Sequence, residues 1–328
     1  MITRKRAIKK NCGIFTISID LELAWGMCDK PIKPSTRHAI QLERGIVRQI
    51  LNLFSKYDVR ATWAVVDHLL LTECNWEGDR FHPEISRPIT KNLKRDWFFQ
   101  HPKNQDDLLW YGRDIIEWIR NASPKQEIGS HSFCHIPYHE GSTNCNAVRA
   151  DIKRAKKMCE AFDLPFEIFV FPRNIIGYRN LLAKAGICVY RGNSPRWYNS
   201  IPSFSFRRLM DFIYFLFRIP PPTVKATVDK TGMLNIPECM LLLGRNAVQS
   251  LVSCGSLIRM GIAGLNRAVK RREIFHLWFH PSNFAYKTDK QFYVLETILR
   301  YAQHLRENDQ LKILTMKDIK TIISETDG

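Results

Sequence analysis

Gly13-Ile-Phe-Thr-Ile-Ser-Ile-Asp-Leu-Glu22 reads as a β-strand that ends in acid. Residues 13–20 form a mostly apolar run rather than an alternating one, as expected of a strand covered on both faces. Side chains two apart on a strand share a side, so Asp20 and Glu22 face one place. Two carboxylates closing a buried strand are costly to desolvate unless a metal ion or hydrogen bonds satisfy them. The competing reading is a pair of exposed acids in a turn, with Glu22 capping a helix.

Outward from that strand, short apolar runs alternate with amphipathic ones, the pattern of a parallel α/β sheet or barrel. Further strands are expected at 60–66, 127–131, 167–171, 187–190, 233–236, 274–279 and 311–314. Helices are expected at 38–54, 146–162 and 290–305. Their apolar stripes, such as Ile46, Val47, Ile50, Leu51 and Phe54 in the first, are packing surfaces. Two segments interrupt the rhythm. Residues 67–107, with Trp76, Phe81, Trp97, Phe98 and Phe99, are too long for a simple connection. Residues 198–231 are apolar and basic. The organisation expected is a basic extension at 1–12 and a single domain over 13–323, with insertions near 67–107 and 198–231.

A chain of 328 residues buries a large core, and an apolar fraction of 45% is ordinary for a globular protein. Nine cysteines show no CxxC pair or disulfide rhythm, which fits a reducing compartment. The apolar stretch 14–19 is too short for a signal peptide, and no run approaches the ~20 residues of a spanning helix. A cytoplasmic protein is expected, with peripheral attachment at the inner membrane face as a variant. The net charge of +17 asks for an anionic partner. Nucleic acid is disfavoured, because the basic residues are dispersed and no nucleic-acid-binding motif accompanies them. A phosphate-bearing sugar donor, an acidic glycan or an anionic membrane surface explains the charge equally well. The segment 206–219 has two readings, a helix at a membrane interface or one packed on the sheet, and its all-round apolar pattern favours packing.

Three more constellations carry chemistry. In Glu127-Ile-Gly-Ser-His-Ser-Phe-Cys-His135, two imidazoles four residues apart follow a short strand and can chelate one ion if the chain turns helically. An isolated HxxxH is more often two unconnected histidines, and His139 leaves open which members of the cluster would bind. Phe275-His-Leu-Trp-Phe-His-Pro281 places His280 at a strand end, with His276 deeper as a core or supporting residue. Phe171-Pro-Arg-Asn174 adds a guanidinium and an amide just past another strand. All four constellations fall at strand C-terminal ends, which a barrel gathers around one mouth.

In this order, with Ala61-Thr-Trp-Ala-Val65 between the first and second, the motifs resemble those of the polysaccharide deacetylases, the NodB-type carbohydrate esterase family four. The resemblance runs from about residue 14 to residue 283. Phe171-Pro-Arg-Asn174, Tyr190-Arg-Gly192 and Leu277-Trp-Phe-His-Pro-Ser-Asn283 look most like the branch of capsule or surface-polysaccharide biosynthesis. It implies an irregular (β/α) barrel of about seven to eight strands. It also implies a divalent ion, Zn2+ first, with Co2+, Ni2+ or Fe2+ as alternatives. By motif, Asp20 matches the base that activates water, and Glu22, His131 and His135 match the metal ligands. His280 matches the acid that protonates the leaving nitrogen, and Arg173, with Asn174 beside it, matches the base-orienting or substrate-binding position. The pattern departs from the family in three places. The first motif is usually two adjacent aspartates, so which of Asp20 and Glu22 holds the metal stays open. Pro172-Arg173 reverses the usual order, which leaves the role of the arginine open. No aspartate matches the one that often orients the catalytic histidine, and Glu238 is the stand-in named for it.

The resemblance implies hydrolysis of the N-acetyl group of an amino sugar, on a glycan, lipid or nucleotide carrier. The alternatives are a deformylase, or another hydrolase of a non-peptide C–N bond, acting on a lipid-linked amino sugar, and a catalytically silent carbohydrate-binding domain. The sugar, the carrier and the oligomeric state are not legible.

Overall fold

The structure, a computed structural model, describes residues 12–78, 80–87, 96–99, 108–201 and 204–326. The expected basic extension lies outside the described residues except for Cys12, as do 88–95 and 100–107 of the first insertion. In chain order the strands are β1 (Gly13–Leu21), β2 (Thr62–Val65), β3 (Trp76–Glu77), β4 (Arg80–Phe81), β5 (Glu127–Ser130) and β6 (Ile168–Val170). They continue with β7 (Val189–Gly192), β8 (Thr227–Val228), β9 (Leu234–Pro237), β10 (Met240–Leu241), β11 (Ile274–Phe279) and β12 (Leu311–Ile313). The helices are α1 (Pro34–Lys56), α2 (Arg113–Arg120), α3 (Cys145–Ala161), α4 (Arg179–Ala185), α5 (Phe204–Leu216), α6 (Cys254–Arg271), α7 (Thr288–Glu307) and α8 (Met316–Thr326).

Ten strands form one sheet in the order β10-β11-β1-β2-β5-β6-β7-β9-β8, with β12 also against β1, while β3 and β4 pair separately. Every pairing in the large sheet is parallel except β8 with β9. The eight expected strands are all present, that at 187–190 shifted to Val189–Gly192. The two additional members of the sheet, β8 and β10, have two residues each and offer no period to read.

β1 is the central strand. Phe15, Ile17, Ile19 and Leu21 are buried on one face, and Thr16, Ser18 and Asp20 on the other. Ser18 and Asp20 are satisfied from across the fold: Arg191 of β7 donates to Ser18 Oγ at 3.0 Å and to Asp20. Three strands separate β1 from β7 in the sheet order, so that contact is possible only because the sheet curls. Among the described residues no pairing joins β10 to β8, and the barrel stays open. Parallel strands end on the same side, so Glu22, His131, Asn174 and His280, each just past a strand, reach one rim.

The insertion after β2 packs rather than dangles. Trp97 is buried and its indole donates to the Cys134 carbonyl at 2.8 Å, behind the loop that follows β5. In the second insertion α5 divides the two expectations for 206–219. Phe215 is buried, but Leu209, Leu216 and Phe217 are exposed. No helix among the described residues is long and apolar enough to cross a membrane.

α6 lies against β1 and β11 at a distance that glycine sets. A Cβ on Gly13 would meet the Ala268 carbonyl carbon and the Val269 nitrogen at 2.7 Å, and one on Gly264 would meet the Phe275 ring at 2.5 Å. Alanine in a strand interior ordinarily stabilises relative to glycine. Here Gly13→Ala must push backbone from backbone, so we expect a loss of about 1–3 kcal/mol in urea unfolding. An unchanged or raised midpoint would contradict this helix–strand contact.

Candidate active site

Three imidazoles converge on one carboxylate oxygen. Glu22 Oε1 lies 3.0 Å from His131 Nε2, 3.1 Å from His135 Nε2 and 3.4 Å from His280 Nε2. His131 follows β5 directly, and its N–H bonds to the Val65 carbonyl of β2 at 2.7 Å, continuing the ladder past the strand. The chain then turns through Ser132 (φ 67°) and reaches His135 (φ 57°), both in the left-handed region. Non-glycine residues are held there only when their surroundings over-determine the backbone.

Those surroundings are visible. Asp151 of α3 accepts from the Phe133 and Cys134 N–H groups at 3.1 Å each, and from the Tyr138 hydroxyl at 2.9 Å. The carbonyls of Ser132 and Phe133 accept from the Asp67 and His68 N–H groups, both at 3.0 Å. Sequence reading missed Asp151, because a lone acid on a helix stripe gives no sign of what it faces. Glu22 is placed by a different device. A Cβ on Gly26 would sit 2.0 Å from Glu22 Oε2, so the carboxylate lies in space that only glycine leaves.

His131 Nδ1 faces the Val170 carbonyl at 2.7 Å and must donate to it, so in the neutral ring Nε2 carries only a lone pair. That lone pair points at a carboxylate oxygen, and two acceptors 3.0 Å apart repel unless a proton or a metal cation lies between them. Burial pushes the His135 pKa down against the pull of Glu22, which favours a second neutral imidazole. Two imidazole nitrogens and a carboxylate oxygen, all within 4.8 Å of one another, are the donor set of a catalytic zinc-type ion. The hydrogen bond to Val170 is the supporting contact that fixes a ligand's tautomer. The residues present, Glu22, His131 and His135, therefore fit a divalent cation.

Asp20 has another partner. Arg191 grips it with both terminal nitrogens, Nη1 to Oδ1 at 2.6 Å and Nη2 to Oδ2 at 2.7 Å, and is itself fully buried. The same guanidinium donates to Asn174 Oδ1 at 2.9 Å and lies 4.4 Å over the Trp278 ring. Burial works to raise the Asp20 pKa, but the facing guanidinium, together with His131 and His280, outweighs it and holds the carboxyl below its ordinary value. The arginine on Asp20 is thus Arg191 rather than Arg173. Arg173, at φ 57° in the turn Pro172–Asn174, points to Asp29 at 2.5 Å. Asn174 does join the site, through Arg191.

His280 stands at the rim, its side chain about a quarter exposed, 3.9 Å from Asp20 Oδ2. Its ring accepts from the Asn283 N–H, and Nε2 faces the two acids, so Nε2 carries the proton in the neutral ring. Burial opposes its charge, yet the neighbouring Glu22 carboxylate lifts it to about 9. Glu238 accepts from the Trp278 indole at 3.0 Å, and the Trp278 ring packs edge-on against His280 at 5.6 Å. His276 is buried with Nε2 2.9 Å from Ser18 Oγ, a supporting position; burial pushes its pKa down to about 3. Glu43 of α1 is a buried acid that the sequence reading passed over, raised to about 8 by burial.

No protein-family model and no curated protein matches the sequence. Solved structures do. The chain is similar to a putative polysaccharide deacetylase from Mycobacterium smegmatis, with TM-score 0.61 and 12% identity over 97% of this chain and 92% of that one. A probable polysaccharide deacetylase from Pseudomonas aeruginosa PAO1 gives TM-score 0.58 and 12% identity over 93% and 89%. The fold is that of the polysaccharide deacetylases. Puue allantoinase shares it, with TM-score 0.56 and 13% identity over 93% and 88%. The polysaccharide-deacetylase fold is therefore common to proteins named for different reactions, and the chemistry must be argued from the residues.

Gly26 and Asp151 offer a test of the ligand geometry without touching a ligand. We expect Gly26→Ala and Asp151→Asn each to weaken divalent-metal affinity by about 10–100-fold in a competitive chelator titration. Wild-type affinity in both folded variants would contradict the arrangement described.

Proposed function

We propose that the protein is a metal-dependent deacetylase of an N-acetylated amino sugar, with Glu22, His131 and His135 as ligands, Asp20 as base and His280 as acid. One observation carries the reading. A carboxylate gripped by the Arg191 guanidinium and an imidazole whose Nε2 faces it stand 3.9 Å apart beside a three-donor metal set. Two imidazoles and a carboxylate suit Zn2+ best, with Co2+, Ni2+ and Fe2+ as alternatives. Such a cation supplies Lewis acidity, polarising a carbonyl and lowering the pKa of water from ~15.7 toward about 7.

The chain's own residues supply the rest. Asp20, held ionised, takes the proton of the attacking water as the water oxygen bonds to the acetyl carbon. His280 gives its Nε2 proton to the sugar nitrogen as the C–N bond breaks, because an unprotonated amine is a poor leaving group. Acetate and the free amino sugar leave. Arg191 keeps Asp20 from taking the proton of His280 instead, and Ser18 and Asn174 hold Arg191 in register.

The finer reading is a step in surface-polysaccharide biosynthesis on a phosphate-bearing donor, which the net charge of +17 supports. A deformylase on the same scaffold is distinguished by its product, formate. A silent binding domain is disfavoured, because acid, base and ligand positions are all filled by groups able to act.

Acetate release from a panel of N-acetylhexosamine donors tests the proposal. Chelator and His131→Ala should abolish it, and full activity after either would overturn it. Asp20→Asn should retain metal and lose at least ~10²-fold in turnover. Activity needs ionised Asp20, so it should persist as pH falls until the lowered pKa is reached. Arg191→Gln removes the leading cause of the lowering and should move the acid limb of kcat/KM to higher pH. An unmoved limb would sink the role given to Asp20.

A further inference from the structure

A second cluster of soft and borderline metal donors lies in the first insertion, and the proposed reaction does not use it. His68 sits in the turn Asp67–Leu70 after β2, Cys74 follows six residues later, and the β3–β4 hairpin brings His82 back onto both. His68 Nε2 is 3.0 Å from His82 Nε2 and 3.1 Å from Cys74 Sγ, and the three donor atoms lie within 4.8 Å of one another. Both histidines are buried. The Tyr111 hydroxyl, 3.0 Å from Cys74 Sγ, is a candidate fourth donor.

We propose that His68, Cys74 and His82 hold a structural divalent cation of the Zn2+ class, distinct from the ion at Glu22, His131 and His135. The donor chemistry argues for it. His82 Nδ1 lies 3.3 Å from Glu84 Oε1, a carboxylate that accepts, so Nδ1 carries the proton and Nε2 presents a lone pair to His68. A carboxylate behind a histidine is the supporting arrangement of zinc ligands. Cys74 would bind a cation as the thiolate, by releasing its proton. Tetrahedral bonds of about 2.0 Å to nitrogen and about 2.3 Å to sulfur set neighbouring donors about 3.3–3.6 Å apart. The His68–His82 and His68–Cys74 spacings need to open by only a few tenths of an ångström.

The location gives the ion a purpose. The His68 N–H holds the Phe133 carbonyl in the loop between His131 and His135. The His68 ring packs 4.2 Å from Trp25, in the turn that begins directly after Glu22. A cation here pins the insertion and, through His68, stiffens both segments that carry the first site's ligands. It is a positioning device and takes no part in the chemistry.

Cobalt spectroscopy of the full chain separates the two sites, because only the second contains a thiolate. Metal-free protein reconstituted with Co2+ should bind two ions per chain and show a near-ultraviolet thiolate-to-cobalt charge-transfer band. Cys74→Ser and His82→Ala should each bind one ion, and Cys74→Ser should lose the band. His135→Ala should also bind one ion yet keep the band. Wild-type protein loaded with cobalt but lacking the band would overturn the proposal, as would a band that survives in Cys74→Ser. The wild-type spectrum alone decides if Cys74→Ser does not fold. Failure of the first site reads out separately, as loss of acetate release with the band intact.

Discussion

Asp20 and Glu22 end the central strand with little access to water, and a buried carboxylate costs several kcal/mol unless opposite charge or donors meet it. The fold answers the two acids in different ways, and that difference is the basis of the site. Asp20 receives a bidentate guanidinium, a pairing strong enough to keep it ionised. Glu22 receives imidazoles, one of which is obliged by its bond to Val170 to present a lone pair. A guanidinium makes an anion; lone pairs around a carboxylate ask for a cation. The proposed division of labour between a base and a metal ligand, left open by the spacing of two acids along a strand, rests on what each one faces.

The curled sheet makes that division possible. Arg191 reaches β1 from β7 only because the strands between them bend the sheet around, and the strand C-terminal ends then share one rim. The backbone past β5 is held in two left-handed conformations by Asp151 on one side and by the turn after β2 on the other. The first insertion is part of this support, with Trp97 bonded to Cys134 and His68 to Phe133. Rigidity of the ligand loop is therefore shared between the sheet, α3 and the insertion.

Much of this was legible in sequence for a plain reason. Strands buried on both faces are short apolar runs, and Asp20, Glu22, His131, His135 and His280 stand at or just past their ends, so placement and motif order together made them candidates. Arg191 did not. It lies inside β7, and its role depends on the pairing of Val170 with Arg191 and on the curl, neither of which the local pattern encodes. Arg173 stood in the expected place, but a left-handed turn sends its side chain to Asp29. Asp151 looked like one polar residue on a packing helix. His68, Cys74 and His82 share no motif spacing and meet through two-residue strands that leave no periodic trace.

The central claim is that Glu22, His131 and His135 surround one divalent ion. Anomalous diffraction at the zinc edge, from crystals grown with Zn2+, measures this most directly. The account predicts an anomalous peak in contact with Glu22 Oε1 and the Nε2 atoms of His131 and His135. Zinc-replete crystals with no peak at that point, and the three side chains bonded only to one another, would contradict it.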